Sequence, residues 1–450
     1  MNYDAIIIGA GLSGLATGIR LGLSGKKALL LEAHAVAGGL NSYYRRGERV
    51  IDVGLHAMTN FARAGARGEP LTKLSRQLRL RHADLDLVEQ NFSAIVFPAR
   101  RLRFTNNFAD FRAGVAADFP RSLAGFDALT AALNDYDDTT LTAVPASTRE
   151  KLAAFIPDET LREMLLCPLM YYGNAAENDM DWTQFATMWK AVFRGGFCRP
   201  RAGMKKIIEL LITQFIANGG ELRYGAKVAR IVASASRAEK VELTTGEAIA
   251  APLIFSSAGA VETAALCGVN NEESGGKLGF AELVLSLSEP ARGDGAAITF
   301  FSQTDNFIFN EPADFIDDNS GVICCPNNFN FTTEPSLRVT ARANFDRWKN
   351  LDRAAYLAQK KDAAERLLRA AEKFYPALRE KIVWSDLFTP RTVARFTGHY
   401  RGAIYGSPVK RRDGKTALAN LYLIGTDQGF LGIVGALLSG ISIANRYGME

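Results

Sequence analysis

The chain has 450 residues, 48% apolar and 22% charged, an ordinary globular composition long enough for two or three domains rather than one core. Its net charge of +5 is small for this length, and the basic groups Arg45-Arg46, Arg100-Arg101-Arg103 and Lys410-Arg411-Arg412 stand apart, which argues against nucleic acid as a partner and leaves a weak pull toward anionic lipid. Five cysteines without Cys-x-x-Cys spacing and four histidines without a helical pair speak against a disulfide framework and a histidine zinc site, so no metal is expected.

Taken in chain order, Tyr3 to Ala10 are nearly all apolar, as in a parallel strand covered on both faces. Gly9, Gly11 and Gly14 follow at G-x-G-x-x-G spacing and open a predicted helix over 12–23 that stops at Ser24-Gly25. Such a turn brings backbone close to a pyrophosphate and sets it on the helix N-terminus, here Leu12 and Ser13. Lys27 to Leu31 predict a second strand ending at Glu32-Ala33. A carboxylate there accepts both hydroxyls of an adenosine ribose and repels a 2′-phosphate, which disfavours NADP. Gly38-Gly39 come next, and "RVIDVGLH" predicts a short strand carrying Asp52, Gly54, Leu55 and His56. The N-terminus enters its first strand at once, without an export signal, and with the cysteine usage this predicts a cytoplasmic protein.

Residues 66–195 are mostly helical by pattern. "LREMLLCPLMYYGN" precedes "WTQFATMWKAVF", where Trp182, Phe185, Trp189 and Phe193 share one helix face. That face suits a core helix, a tunnel wall or a membrane contact. In 281–384, "AELVLSLS", "AAITFFS", "NFIFNEP" and "GVICCPNNFNF" read as strands with alternating phenylalanines, before a charged helix from Leu351 to Tyr375. "NLYLIGTDQGFLGIVGALLSG" then supplies a second glycine turn running from strand into helix; the apolar stretch from Leu431 to Ala444 is too short to span a bilayer and predicts a buried helix.

The order of glycine turn, Glu32 and Gly38-Gly39 resembles the opening of the FAD-dependent amine oxidase and phytoene desaturase superfamily. Where that superfamily usually has an arginine after the glycine pair, this chain has Leu40, and Leu40 and Asn41 offer backbone N–H groups in its place. "CRPRAGMKKIIELLITQF", "LIFSSAGAVET" and "TPRTVARFTGHYRGAIYG" resemble later segments of the family, and the C-terminal turn is similar to that of the carotenoid isomerase and retinol saturase branch. The resemblance implies an α/β fold: a Rossmann-like FAD-binding domain from 1–65, 196–280 and 385–450, with a discontinuous α+β substrate domain from 66–195 and 281–384. It implies FAD spanning both glycine turns, with Val228 against the adenine, Gly425, Thr426 and Asp427 at the ribityl chain and phosphate, and the helix start at Gly432, Ile433 and Val434 aimed at the flavin pyrimidine. Tyr171 and Tyr172, and Trp189 on the aromatic helix, become the expected substrate-lining residues.

No nucleophile triad is visible, so the difficult step falls to the flavin. His56 is the one titratable side chain that the motif order brings near the flavin edge; it either moves a proton or simply holds structure. The resemblance implies an isoprenoid or polyene substrate undergoing saturation, desaturation or redox-neutral cis/trans isomerisation. A lipid leaving a bilayer gains little of the usual apolar transfer energy, so peripheral contact with the inner face of a membrane is expected. Amine oxidation and a non-catalytic flavin-binding partner remain the alternative readings, and the electron donor or acceptor is not specified by the sequence.

Overall fold

The computed structural model describes residues 3–63, 65–140 and 144–449. The apolar run before the first turn becomes the strand Ala5–Ile8, buried at every position. It sits at the centre of a five-stranded parallel sheet, in the order Glu221–Arg223, Ala28–Leu31, Ala5–Ile8, Leu253–Ser256 and Leu421–Leu423. Strand order reverses about the central strand, and in such sheets ligands bind beyond the carboxyl ends at that reversal.

The helix Leu12–Leu23 occupies the expected residues and packs along the C-terminal helix Gly432–Tyr447. Small residues allow the contact: a β-carbon on Gly440 would lie 2.2 Å from Ser13 O, and Thr17 Oγ1 donates to Gly440 O at 3.2 Å. The two chain ends are therefore one packed unit.

A second sheet of seven strands draws on both middle segments, in the order Ile382–Phe388, Gly279–Leu287, Ser336–Ala343, Ser320–Cys324, Ile298–Ser302, Ser93–Phe97 and Arg100–Phe104. One of its faces packs on the charged helix Arg353–Glu372, the other on the helices between Phe108 and Trp189. "NFIFNEP" forms no strand. The carbonyls of Phe307, Phe309 and Asn310 are taken instead by Arg149, the Asn178 N–H and Arg342. The rings of Phe307 and Phe309 pack on Tyr171.

The aromatic helix Trp182–Trp189 settles into the core. Trp189, Phe185 and Phe193 are fully buried, with Trp189 against Phe108, Phe126 and Phe193. Of the three readings of that face the core helix is the one the structure shows: Trp189 meets neither a substrate cavity nor solvent, which corrects its expected substrate-lining place. Among the described residues no helix is long and apolar enough to cross a membrane.

Candidate functional site

A single cavity of about 1420 Å³ runs from the first glycine turn, past the second, to the wall formed by the seven-stranded sheet. It exceeds the roughly 300–1,000 Å³ of an ordinary small-molecule pocket. At one end it is lined by Gly9, Gly11, Leu12 and Ser13, by Glu32 and Ala33, and by Gly38 through Asn41, with Val228 opposite. Gly11 and Gly38 form a parallel bridge, and a β-carbon on Gly11 would meet no protein atom within 4 Å. Gly9 and Gly38 hold φ of 94° and 117°, conformations that favour glycine.

Glu32 is fixed by two backbone bonds: the Ala10 N–H donates to Oε2 at 2.8 Å and the His34 N–H to Oε1 at 2.9 Å. Each carboxylate oxygen has a second lone pair for a ligand hydroxyl. In the second turn Gly425, Thr426, Gly432 and Ile433 line the cavity, and the Gly425 N–H donates to Ser439 Oγ at 2.7 Å, tying the turn to the C-terminal helix.

Four expected cofactor contacts lie outside the wall. Asp427 turns inward, where it accepts from the Ala260 and Ser407 N–H groups (2.5 and 2.7 Å) with Lys410 at 3.7 Å. Its carboxylate braces three loops instead of meeting a ribityl chain or phosphate. Gly14 serves close packing, because a β-carbon there would lie 2.1 Å from Gly9 O. Leu55 and Val434 are buried in the apolar cluster beneath the sheet.

The strand expected through His56 ends at Asp52. Gly54 turns the chain with φ of 65°, and Arg199 Nη1 then donates to the Leu55 and His56 carbonyls at 2.8 and 2.7 Å. These bonds present the His56 ring to the cavity, together with Tyr171, Tyr172, Phe280, Val322 and Tyr405.

Behind His56 lies a polar network that reading the sequence missed. His56 Nε2 is 2.9 Å from Thr340 Oγ1 and 3.3 Å from Glu282 Oε2. Arg338 donates to Glu282 Oε1 and to Asp52 O, both at 2.6 Å. Burial alone would raise the Glu282 carboxyl, but Arg338 and the His56 hydrogen bond outweigh it and hold the group at about 2. Glu282 is therefore a carboxylate at neutral pH. Two signals were present: a glutamate inside the apolar strand "AELVLSLS", and Arg338, Thr340 and Arg342 alternating on one strand. A buried charge in a strand demands partners.

The cavity mouth has another character. Arg45, Arg46, Lys360 and Arg395 line it, with Phe396 55% exposed beside them. Tyr44, also in the wall, has a hydroxyl shielded from solvent that bonds to no protein group among the described residues.

A doubly wound parallel sheet joined to a second sheet over one long cavity defines a Rossmann-like oxidoreductase fold. Residues 12–446 match the flavin containing amine oxidoreductase family, and the chain belongs to it. A prolycopene isomerase of Arabidopsis thaliana is 23% identical over 99% of this chain and 82% of its own length. An all-trans-retinol 13,14-reductase of Danio rerio is 24% identical over 99% of this chain and 86% of its own. Among solved structures, an oxidoreductase from Methanosarcina mazei shares the fold with a TM-score of 0.69 at 16% identity, covering 98% of this chain and 99% of that one.

Proposed function

We propose that the chain is an FAD-dependent oxidoreductase that acts on carbon-carbon double bonds of an apolar isoprenoid or polyene. The observation that carries this reading is the continuity of one cavity from Glu32 to the aromatic wall at Tyr171 and Tyr172. The residues suit a flavin dinucleotide: Glu32 for the adenosine ribose, the N–H groups at Leu12 and Ser13 for the pyrophosphate, and open space above Gly11 where a side chain would intrude. Bound there, the flavin supplies hydride exchange with a substrate carbon. The chain's own residues do the rest. Tyr171, Tyr172, Phe280, Val322 and Tyr405 give an apolar chain a surface that keeps it out of water, whose contact would cost about 0.8 kcal/mol per CH2. His56 holds or moves the proton that accompanies the hydride. The names of the two sequence relatives, an isomerase and a reductase of polyenes, support the same substrate class.

The test is spectroscopic. Holo-protein reduced without oxygen is mixed with prolycopene, all-trans-retinol and longer polyenes, while flavin absorbance and products are followed. Reoxidation with a saturated product identifies a reductase, rearranged product without net reoxidation an isomerase, and a desaturase reveals itself when oxidised enzyme is bleached by a more saturated polyene. Bleaching by amines, with silence toward every polyene, overturns the reading.

We further propose that the cavity mouth docks on anionic membrane, with Phe396 entering the interface and Arg45, Arg46 and Arg395 facing headgroups. In this arrangement a substrate passes from bilayer to cavity without crossing water. Flotation with phosphatidylserine vesicles should carry the wild type upward, and Phe396→Asp should cut the floating fraction several-fold. Wild-type protein that stays at the bottom of the gradient rejects the proposal.

A further inference from the structure

The two ring nitrogens of His56 have unlike surroundings. Nε2 faces Thr340 Oγ1 at 2.9 Å and Glu282 Oε2 at 3.3 Å. Nδ1 bonds to no protein group among the described residues, and the ring lines the cavity. The charged and titratable groups around it come from six elements. Glu282 and Arg338 sit on neighbouring strands, Asp52 on the preceding strand, and Arg199 on the His56 carbonyl; the Cys324 thiol also reaches that carbonyl, at 3.4 Å. Tyr172 completes the wall.

Arg338 can only donate, so it commits Glu282 Oε1 at 2.6 Å. Oε2 is left as an acceptor, and the Thr340 hydroxyl donates to it at 3.3 Å. With its proton so directed, the Thr340 oxygen accepts from Nε2. The opposite arrangement, with the ring proton on Nδ1, would make Thr340 donate to Nε2 and leave a buried carboxylate oxygen facing a lone pair, at the cost of an unmade charged hydrogen bond.

We propose that Glu282, clamped by Arg338, is a positioning residue that fixes the His56 ring with its proton on Nε2, so that Nδ1 is the atom at which a proton is taken or given in the cavity. The functional part of this inference rests on the reading of the cavity as a flavin and substrate site. A proton given from Nδ1 leaves its bonding pair on that nitrogen and the ring neutral with Nε2–H in place, the state which the carboxylate is arranged to hold. Glu282 acts through His56 and has no role of its own on substrate.

The chain has four histidines, which makes the tautomer directly observable. Full-length holo-protein with 15N-labelled histidine is examined by long-range nitrogen-proton correlation at alkaline pH, and His56 is assigned by the signals lost in His56→Gln. In wild type Nε2 should carry the proton and Nδ1 should show the shift of a bare nitrogen. In Glu282→Gln, Arg338 takes the carboxamide oxygen and turns the NH2 group toward Nε2, which must then accept; the two nitrogen shifts should exchange. Thr340→Val keeps the carboxylate and should keep the wild-type pattern. A wild-type ring protonated on Nδ1, or an unchanged pattern in Glu282→Gln, overturns the proposal. Should Glu282→Gln fail to fold, wild type and Thr340→Val still decide. None of these spectra needs a substrate, so failure of the polyene test and failure of this inference are separate results.

Discussion

Gly14→Val should purify without flavin colour and melt well below wild type. A β-carbon at this position lies 2.1 Å from Gly9 O and 3.3 Å from Gly9 C. The obstacle is backbone rather than the end of a flexible side chain. Either the helix Leu12–Leu23 lifts from the sheet or the Gly9 turn opens, and each change spoils the cradle that Gly11 and Gly38 complete. Overpacking of this kind typically costs about 1–3 kcal/mol. Gly11→Ala provides the contrast. Gly11 has φ of −68° and no protein atom near its β-carbon direction, so the variant should melt within about 1 kcal/mol of wild type while holding flavin more weakly, because the methyl group occupies cavity space. The ratio of flavin to protein absorbance and a thermal melt measure both effects. Full flavin occupancy in Gly14→Val would show that the first turn does not hold the cofactor.

Arg338→Met should be the most destabilising single change in the polar network behind His56. It removes the partner of a buried carboxylate and strands Asp52 O; breaking one side of a buried pair costs about 3–5 kcal/mol. The pH dependence has a definite sign. In wild type the Glu282 carboxyl is held at about 2, below its ordinary 4.5. Its contribution to stability is complete above the unfolded value and is lost as pH falls through the folded one. Without Arg338, burial dominates and the group is pushed upward, so folding takes up a proton. The deficit of Arg338→Met should therefore be largest near neutral pH and shrink on acidification. Glu282→Gln added to Arg338→Met should recover much of the loss, since no charge is then left buried. Denaturant melts across the acid range test both statements, and a deficit that grows on acidification contradicts them.

The nucleotide half of the molecule was largely legible in the sequence because its signals are local. Glycine spacing, an apolar strand on either side and Glu32 at the strand end all fall within a few dozen residues. The C-terminal turn repeated that grammar and pointed to the same sheet. The polar network was not legible in this way. His56, Arg199, Glu282 and Arg338 come from four distant segments, and no periodicity links them. Asp427 was misjudged because a motif gives a residue's place and not the direction of its side chain. The Ala260 and Ser407 N–H groups claim that carboxylate from within. Trp189 failed for another reason: its helix is buried nearly all round, Thr183 and Gln184 included, so its aromatic face does not mark the side that meets a cavity. "NFIFNEP" has strand alternation, but Asn178, Arg149 and Arg342 supply donors that a neighbouring strand would otherwise supply.

The clasp between the first and last helices bears on how the protein is made. During synthesis the strand Ala5–Ile8 waits for its sheet neighbour Leu253–Ser256, and the helix Leu12–Leu23 waits until its partner Gly432–Tyr447 has been made. Contacts so distant along the chain close slowly, and the nascent N-terminal helix must keep its apolar side covered meanwhile. Chaperone demand should fall most heavily on the interval before Gly432–Tyr447 emerges.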